Sequence, residues 1–247
     1  MHPSEVRQNA LSLIAAGVND CEIARRLGVA RSTVRDWRRP RYVPKTQRDE
    51  ICPRCWRTTR PVVFAPSDYC ELLGLYLGDG HITALPRTER LRIFLDGRYV
   101  AIVRDTESLL RRCFPSHRVG RLDRYRGTMA VLSVYYGHLS CLLPQHGPGK
   151  KHAREIALES WQHDLFQQAP WSFIKGCIRS DGCVFVNRTG RYEYLSYDFA
   201  NVSQDILDLF AETCLSLDLN PRRYARHIRL YRRADVALVR EHVGLKS

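Results

Sequence analysis

Lysine is scarce in this 247-residue chain: of 39 basic residues only five are lysine, at positions 45, 150, 151, 175 and 246, and the other 34 are arginine. Long apolar runs are missing. None approaches the ~20 residues that cross a bilayer, which excludes a helical span, and no secretory h-region follows Met1, so the expected location is the cytoplasm. A disulfide framework is missing too: nine cysteines, an odd number scattered over the chain, read as mostly reduced. Acids are outnumbered, 26 against 39, and the formal charge of +13 points to a polyanionic partner. A lipid surface matches less well, because no basic amphipathic helix stands out. With 44% apolar residues the chain is globular and long enough for one large core or two smaller ones.

Residues 1–40 have the spacing of three helices. Val6, Ala10, Leu13 and Ile14 share one face, and Gly17 ends that helix. Asp20 is the expected N-cap of a short second helix carrying Ile23, Ala24 and Leu27. Gly28 makes the turn, Ser32 or Thr33 opens a third helix with Val34 and Trp37 inside, and Pro40 closes it. The stretch from Glu22 to Trp37 resembles the DNA-binding helix-turn-helix of resolvases and many bacterial regulators. That resemblance puts Arg31, Ser32, Thr33 and Arg35 at the start of a recognition helix facing the major groove.

Residues 41–66, rich in Pro, Arg and Thr without periodicity, read as a basic linker. Cys52-Pro-Arg-Cys55 within it has the spacing of half a tetrahedral zinc site. No second close pair completes it, so Zn²⁺ at Cys52 and Cys55 and no metal at all both fit the pattern.

From residue 67 to 247 the chain is an apolar mixture of helix and strand, and it is duplicated. Ser67–Gly80 is an apolar helix ending in Asp79-Gly80, with Asp68 and Glu71 placed as a capping box. Pro170–Gly182 is a second such helix ending in Asp181-Gly182. The acids stand 102 residues apart, and Val100 and Val202, each leading into a further helix, repeat that offset. Arg-rich, strand-like segments follow at 118–126 and 222–233. Each half, 67–150 and 151–247, therefore reads helix, two strands, helix, two strands, closing helix.

Gly74 and Gly78 lie on one face of the first helix, and Gly176 and Ser180 repeat the spacing in the second. A glycine inside a helix costs about 1 kcal/mol relative to alanine, so two in one helix call for a close partner. If the two helices pair in parallel, Asp79 and Asp181 emerge together at their carboxyl ends. That is an unfavourable place for acids, beside the negative end of two helix dipoles and beside each other. A divalent cation removes both penalties, and Mg²⁺ takes one or two carboxylates while water and phosphate oxygens fill its shell. On a basic chain this suits phosphodiester hydrolysis.

Leu72–Gly80 resembles the signature of the LAGLIDADG homing endonucleases, and Ile174–Gly182 resembles its second copy, as in single-chain members of that family. The similarity spans 67–247. It implies an α+β fold of two αββαββα halves, whose antiparallel sheets form a saddle over double-stranded DNA, preceded here by the all-α helix-turn-helix. It implies Asp79 and Asp181 as catalytic acids that share two or three Mg²⁺ ions, with Gly78 and Ser180 as further metal contacts through their carbonyls. A monomer with an internal pseudo-twofold follows. The second motif departs from the family pattern at Lys175 and Arg179. The family also places a basic residue near each active site; Arg124, Arg126, Arg229 and Lys150 are the candidates.

The arginines at 222, 223, 226, 229, 232 and 233 are dense enough for a DNA-facing surface on which most bind phosphate and a few read guanine edges. Arg124, Arg126, Arg222, Arg226 and Arg229 are the expected strand contacts, and Lys150 and Lys151 contact backbone phosphate from the loop that closes the first half. The expected function is site-specific, metal-dependent double-strand cleavage by a nucleoid-associated protein. A regulator that binds DNA on this scaffold without cutting it is the alternative.

Overall fold

The computed structural model describes residues 4–38 and 64–246. The chain divides into two compact units, Met1–Pro61 and Val62–Ser247. Among the described residues no helix is long and apolar enough to cross a membrane.

The first unit holds α1 (Ser4–Ala15), α2 (Asp20–Leu27) and α3 (Arg31–Arg38) around Ala10, Ile23, Val29, Val34 and Trp37. Two helix starts differ from expectation. Asn19, not Asp20, caps α2, its side chain accepting from the Glu22 amide at 3.0 Å. Asp20 instead pairs with Arg38 of α3 at 2.7 Å. The third helix opens at Arg31 rather than at Ser32 or Thr33, because the Ala30 carbonyl already accepts from Thr33 and Val34. Gly28 carries a left-handed φ of 62° at the turn. Arg31, Ser32 and Arg35 are exposed and Thr33 is half-buried on α3. Cys52 and Cys55 lie outside the described residues.

The second unit repeats one pattern twice. α4 (Pro66–Asp79), β1 (Gly80–Ala84), β2 (Glu89–Asp96), α5 (Val100–Cys113), β3 (Gly120–Arg124), β4 (Met129–Tyr136) and α6 (Leu139–Leu142) form the first half. After α7 (Ser160–Gln168) come α8 (Pro170–Asp181), β5 (Gly182–Thr189), β6 (Tyr192–Ala200), α9 (Gln204–Ser216), β7 (Arg222–Arg223), β8 (His227–Leu230) and α10 (Arg233–Val243). The two antiparallel sheets share one topology, β1-β2-β4-β3 and β5-β6-β8-β7. Period-two alternation gives each sheet a buried and an open face. Ile82, Leu91 and Val134 align across the first sheet toward the core, and Tyr197 and Leu230 do so in the second. Arg92, His81 and Ser133 fill the opposite row of the first sheet, and Asp198 with Arg229 that of the second.

The Arg-rich strands are shorter than their sequence implies. Segment 118–126 gives only β3, because Tyr125 and Arg126 take left-handed φ values of 51° and 56° in the turn to β4. Segment 222–233 breaks into β7, β8 and the first turn of α10, with Arg232 as the α10 N-cap.

The capping box at α4 is also absent. Pro66 at N1 and the extended Ala65 start that helix without a side-chain cap. Asp68 binds Arg112 of α5 at 2.9 Å. Glu71, 5% exposed, accepts from Lys175 and Arg179 of α8, both at 2.9 Å, and Arg179 reaches on to Asp105. The two cations that depart from the family pattern are thus the partners of one buried acid on the other motif helix. Glu71→Gln removes the charge that both require, and is expected to cost about 2–3 kcal/mol. A lower urea midpoint at unchanged m-value is the measurement that checks it.

Candidate active site

Among the described elements, α4 and α8 share the most extensive contact. They run parallel, since Gly74 faces Phe173, Gly176 and Cys177 while Gly78 faces Ser180 and Asp181. A Cβ on Gly74 would stand 2.6 Å from the Phe173 carbonyl and 2.8 Å from the Cys177 nitrogen. A Cβ on Gly176 would run into the Glu71 carbonyl, and one on Gly78 into the Ser180 hydroxyl. Small side chains at i and i+4 on both helices are therefore what lets the backbones touch.

The contact ends in the two acids. Asp181 Oδ2 lies 3.1 Å from where a Cβ on Gly78 would be, one residue from Asp79, and accepts from Asn201 at 2.9 Å. Burial, then the charge of Asp181, pushes the Asp79 carboxyl up to about 7. Burial raises Asp181 as well, against the pull of Lys151, Asn201 and Lys246. Each acid opens into its own cleft. One, of about 530 Å³, is lined by Asp181, Asn201, His81, Lys150, Lys151 and Arg154 among others. The second, of about 350 Å³, is lined by Asp79, Asp96, Tyr99, Ser180 and Lys246 among others.

Two ammonium groups sit at the helix ends. Lys151 donates to the carbonyls of Tyr76, Leu77 and Gly78, the last two at 2.9 Å, and lies 5.0 Å from the Tyr76 ring centroid. Lys246 donates to Ser180 and, at 2.8 Å, to Gly182. Burial drives Lys151 down to about 8, opposed first by Asp181 and then by Asp79. Lys246 is lowered for the same reason, opposed first by Asp79 and then by Asp181.

The acids and the small residues lie together on one seam, while most of the expected cations lie away from it. Of the four candidate basic residues only Lys150 lines an acid's cleft, exposed at its rim. Arg124 ends β3 and Arg126 occupies the following turn. Arg222 is exposed on β7 and Arg226 in the turn after it. Arg229 lies on the open sheet face, bound to Asp198 at 3.2 Å and stacked on Phe185 and Tyr224. Lys151, assigned to phosphate contact, is turned inward on the α4 carbonyls. Lys246, beyond the last helix, also lines an acid's cleft; a lone lysine there carries no motif, and the scarcity of lysine is its only mark in the sequence. Arg90 and Arg92, outside the Arg-rich segments, lie on β2 and stack on Tyr135 and Phe94.

Two half-buried carboxylates, the Asp79 carboxyl pushed up to about 7, fit a hard divalent ion whose remaining ligands are water and phosphate oxygen. Among the described residues no group of three or more His, Cys, Asp or Glu gathers as a self-sufficient metal cage. The carbonyls of Gly78 and Ser180, expected as further metal contacts, are engaged by Lys151 and Lys246.

Residues 2–40 match a family described as a homeodomain-like domain. No curated protein matches the chain. Among solved structures, full-length DUF199/WhiA from Thermatoga maritima is 17% identical, with a TM-score of 0.49 over 76% of this chain and 58% of that one. The chain thus spans less than two thirds of that protein's length. A structure of mesophilic variants of the homing endonuclease I-DmoI is 12% identical, with a TM-score of 0.50 over 73% of this chain and 96% of that one. The homing endonuclease I-WcaI, bound to its DNA recognition sequence, is 11% identical over 76% of this chain and 84% of that one, with a TM-score of 0.49. With two four-stranded antiparallel sheets of identical order and a helix-turn-helix-like region before them, this chain has the LAGLIDADG fold.

Proposed function

We propose that this protein is a site-specific, metal-dependent double-strand DNA endonuclease of homing type. The observation that carries the reading is the pair of acids, Asp79 and Asp181, delivered together by two parallel helices in glycine contact, each acid at the mouth of its own cleft. Asp79 and Asp181 would hold Mg²⁺, which supplies an activated water and charge stabilisation of the leaving oxygen. The chain's own part is positional: the glycine seam sets the separation of the acids, and Asn201 orients Asp181 through Oδ2.

Open sheet faces carrying Arg90, Arg92, Arg124 and Arg229, with Arg126, Arg222, Arg226 and Lys150 at turns and edges, supply phosphate and base contacts along duplex DNA. Stacking of Arg90, Arg92 and Arg229 on aromatic rings holds their guanidinium planes ready, which lowers the entropy lost on binding. Arg31, Ser32, Thr33 and Arg35 give the helix-turn-helix unit its own major-groove contact, adding affinity through effective concentration rather than chemistry. Two halves in one chain make a second copy unnecessary, so the acting species is a monomer.

The test is cleavage of a randomised duplex library with Mg²⁺, followed by sequencing of the cut ends. Discrete sites cut on both strands, and lost in Asp79→Ala or Asp181→Ala, support the proposal. One observation favours a second reading, binding without cleavage: ammonium groups already occupy the helix-end carbonyls. Tight selection of one sequence with intact strands under Mg²⁺ and Mn²⁺ would select that alternative. Under either reading binding is expected to fall steeply with salt. If about 6–10 phosphates are contacted, affinity drops about 10³- to 10⁵-fold between roughly 50 and 200 mM salt, as read by fluorescence anisotropy.

A further inference from the structure

We propose that Lys151 and Lys246 are resident counter-cations of the acid pair. Each ammonium closes the carboxyl end of its own motif helix and balances the acid of the other, so that Asp79 and Asp181 stay side by side when no divalent ion is bound. The inference deepens the endonuclease reading and rests on it only where metal is concerned.

The two lysines arise at equivalent places although nothing in the sequence pairs them. Lys151 follows the closing helix of the first half and caps α4; Lys246 follows the closing helix of the second and caps α8. Lys151 lines the same cleft as Asp181, and Lys246 lines the same cleft as Asp79. Charge is thus exchanged across the seam. Both segments are tied down: Arg154 binds the Gln145 and Gly149 carbonyls beside Lys151, and Tyr197 donates to the Gly244 carbonyl beside Lys246.

Residue choice follows from geometry. Three carbonyls converge on Lys151 and two on Lys246, which suits a compact group with three donors better than a planar guanidinium. In a chain with 34 arginines, the lysines at 151 and 246 stand where a point charge is required. A cation at a helix carboxyl end is favourable, and a divalent ion between the acids would do the same electrostatic work. Lysine and metal are then interchangeable in holding the seam.

The experiment is thermal unfolding of the full chain carrying Lys151→Met or Lys246→Met, in EDTA and in Ca²⁺, alone and combined with Asp181→Asn or Asp79→Asn. In EDTA each lysine variant is expected to melt roughly 2–4 °C lower. Ca²⁺ should restore most of that loss, and neutralising the facing acid should at least halve it. An equal loss with and without Ca²⁺ and in both acid backgrounds, or no loss at all, would overturn the proposal. Coupling to the acids without Ca²⁺ rescue would keep the counter-cation role and overturn the equivalence with metal. If Lys151→Met does not accumulate as folded protein, Lys151→Gln, which keeps a donor but not the charge, enters the same cycle. A protein that never cuts DNA yet gives the expected cycle retains this proposal and loses the endonuclease reading; one that cuts but gives a flat cycle does the reverse.

Discussion

Replacing Asp79 with asparagine is expected to abolish cleavage and, in the same step, to raise the melting temperature of the metal-free protein at pH 8. Both effects have one cause. In the folded chain the Asp79 carboxyl is held at about 7 against an ordinary value of 3.8, by burial first and the Asp181 charge second. The folded state therefore binds that proton more tightly than the unfolded state does. The ionised acid destabilises the fold by an amount that grows as pH climbs from about 4 to about 7 and is constant above.

Asparagine removes that cost without changing the shape of the side chain. The expected gain is about 1–3 kcal/mol at pH 8, less than the full shift implies because Lys151 and Lys246 lose a balancing charge. It should vanish below pH 4, where Asp79 is neutral in both states. Mg²⁺ reverses the order, since it stabilises the parent through the ionised acid and has little to bind in the variant. Cleavage should fall by about 10³-fold or more, the loss of several kcal/mol of charge stabilisation. Melting curves at pH 4 and pH 8, with and without Mg²⁺, and a plasmid cleavage assay read the whole set. A variant that melts below its parent at pH 8 without metal would contradict the account.

Gly176→Ala is the second large effect, and its sign is opposite to what helix propensity dictates. In an open helix interior that exchange stabilises by about 1 kcal/mol. Here the new Cβ collides with the Glu71 carbonyl and stands 3.0 Å from the Gly74 Cα and the Leu75 nitrogen, all backbone atoms that yield only by moving α4 as a body. Overpacking on this scale is expected to cost about 3 kcal/mol or more. Because the acids ride on these helices, separating them by about 1 Å should lower cleavage about 10²-fold even in folded protein. Gly78→Ala meets a side chain instead, the Ser180 hydroxyl, so Ser180→Gly in the same chain should recover part of its loss. Urea unfolding of the two singles and the double mutant measures that coupling directly.

The features legible in the sequence are those written in local spacing. Four-residue intervals of small side chains, an acid at the last turn of each apolar helix, and the repeat at 102 residues need no partner to be seen. From them the contacting faces of the two helices follow, and so does the order of elements in both halves apart from α7; their parallel sense does not. The start of α4 differs from expectation because Asp68 and Glu71 have the spacing of a cap but find stronger partners at Arg112, Lys175 and Arg179. Those partners lie 44 to 108 positions away, beyond the reach of any local pattern.

The amino-acid order alone determined where the two acids sit, which faces of their helices must touch, and that the chain is basic enough for a polyanion. Only the tertiary structure decided which cations line the clefts of those acids. Helix and strand periodicities are short-range properties of the backbone, whereas a charge at a helix end takes whatever counter-charge the fold brings to its cleft. Here the fold brings Lys151, from between the halves, and Lys246, from beyond the last helix.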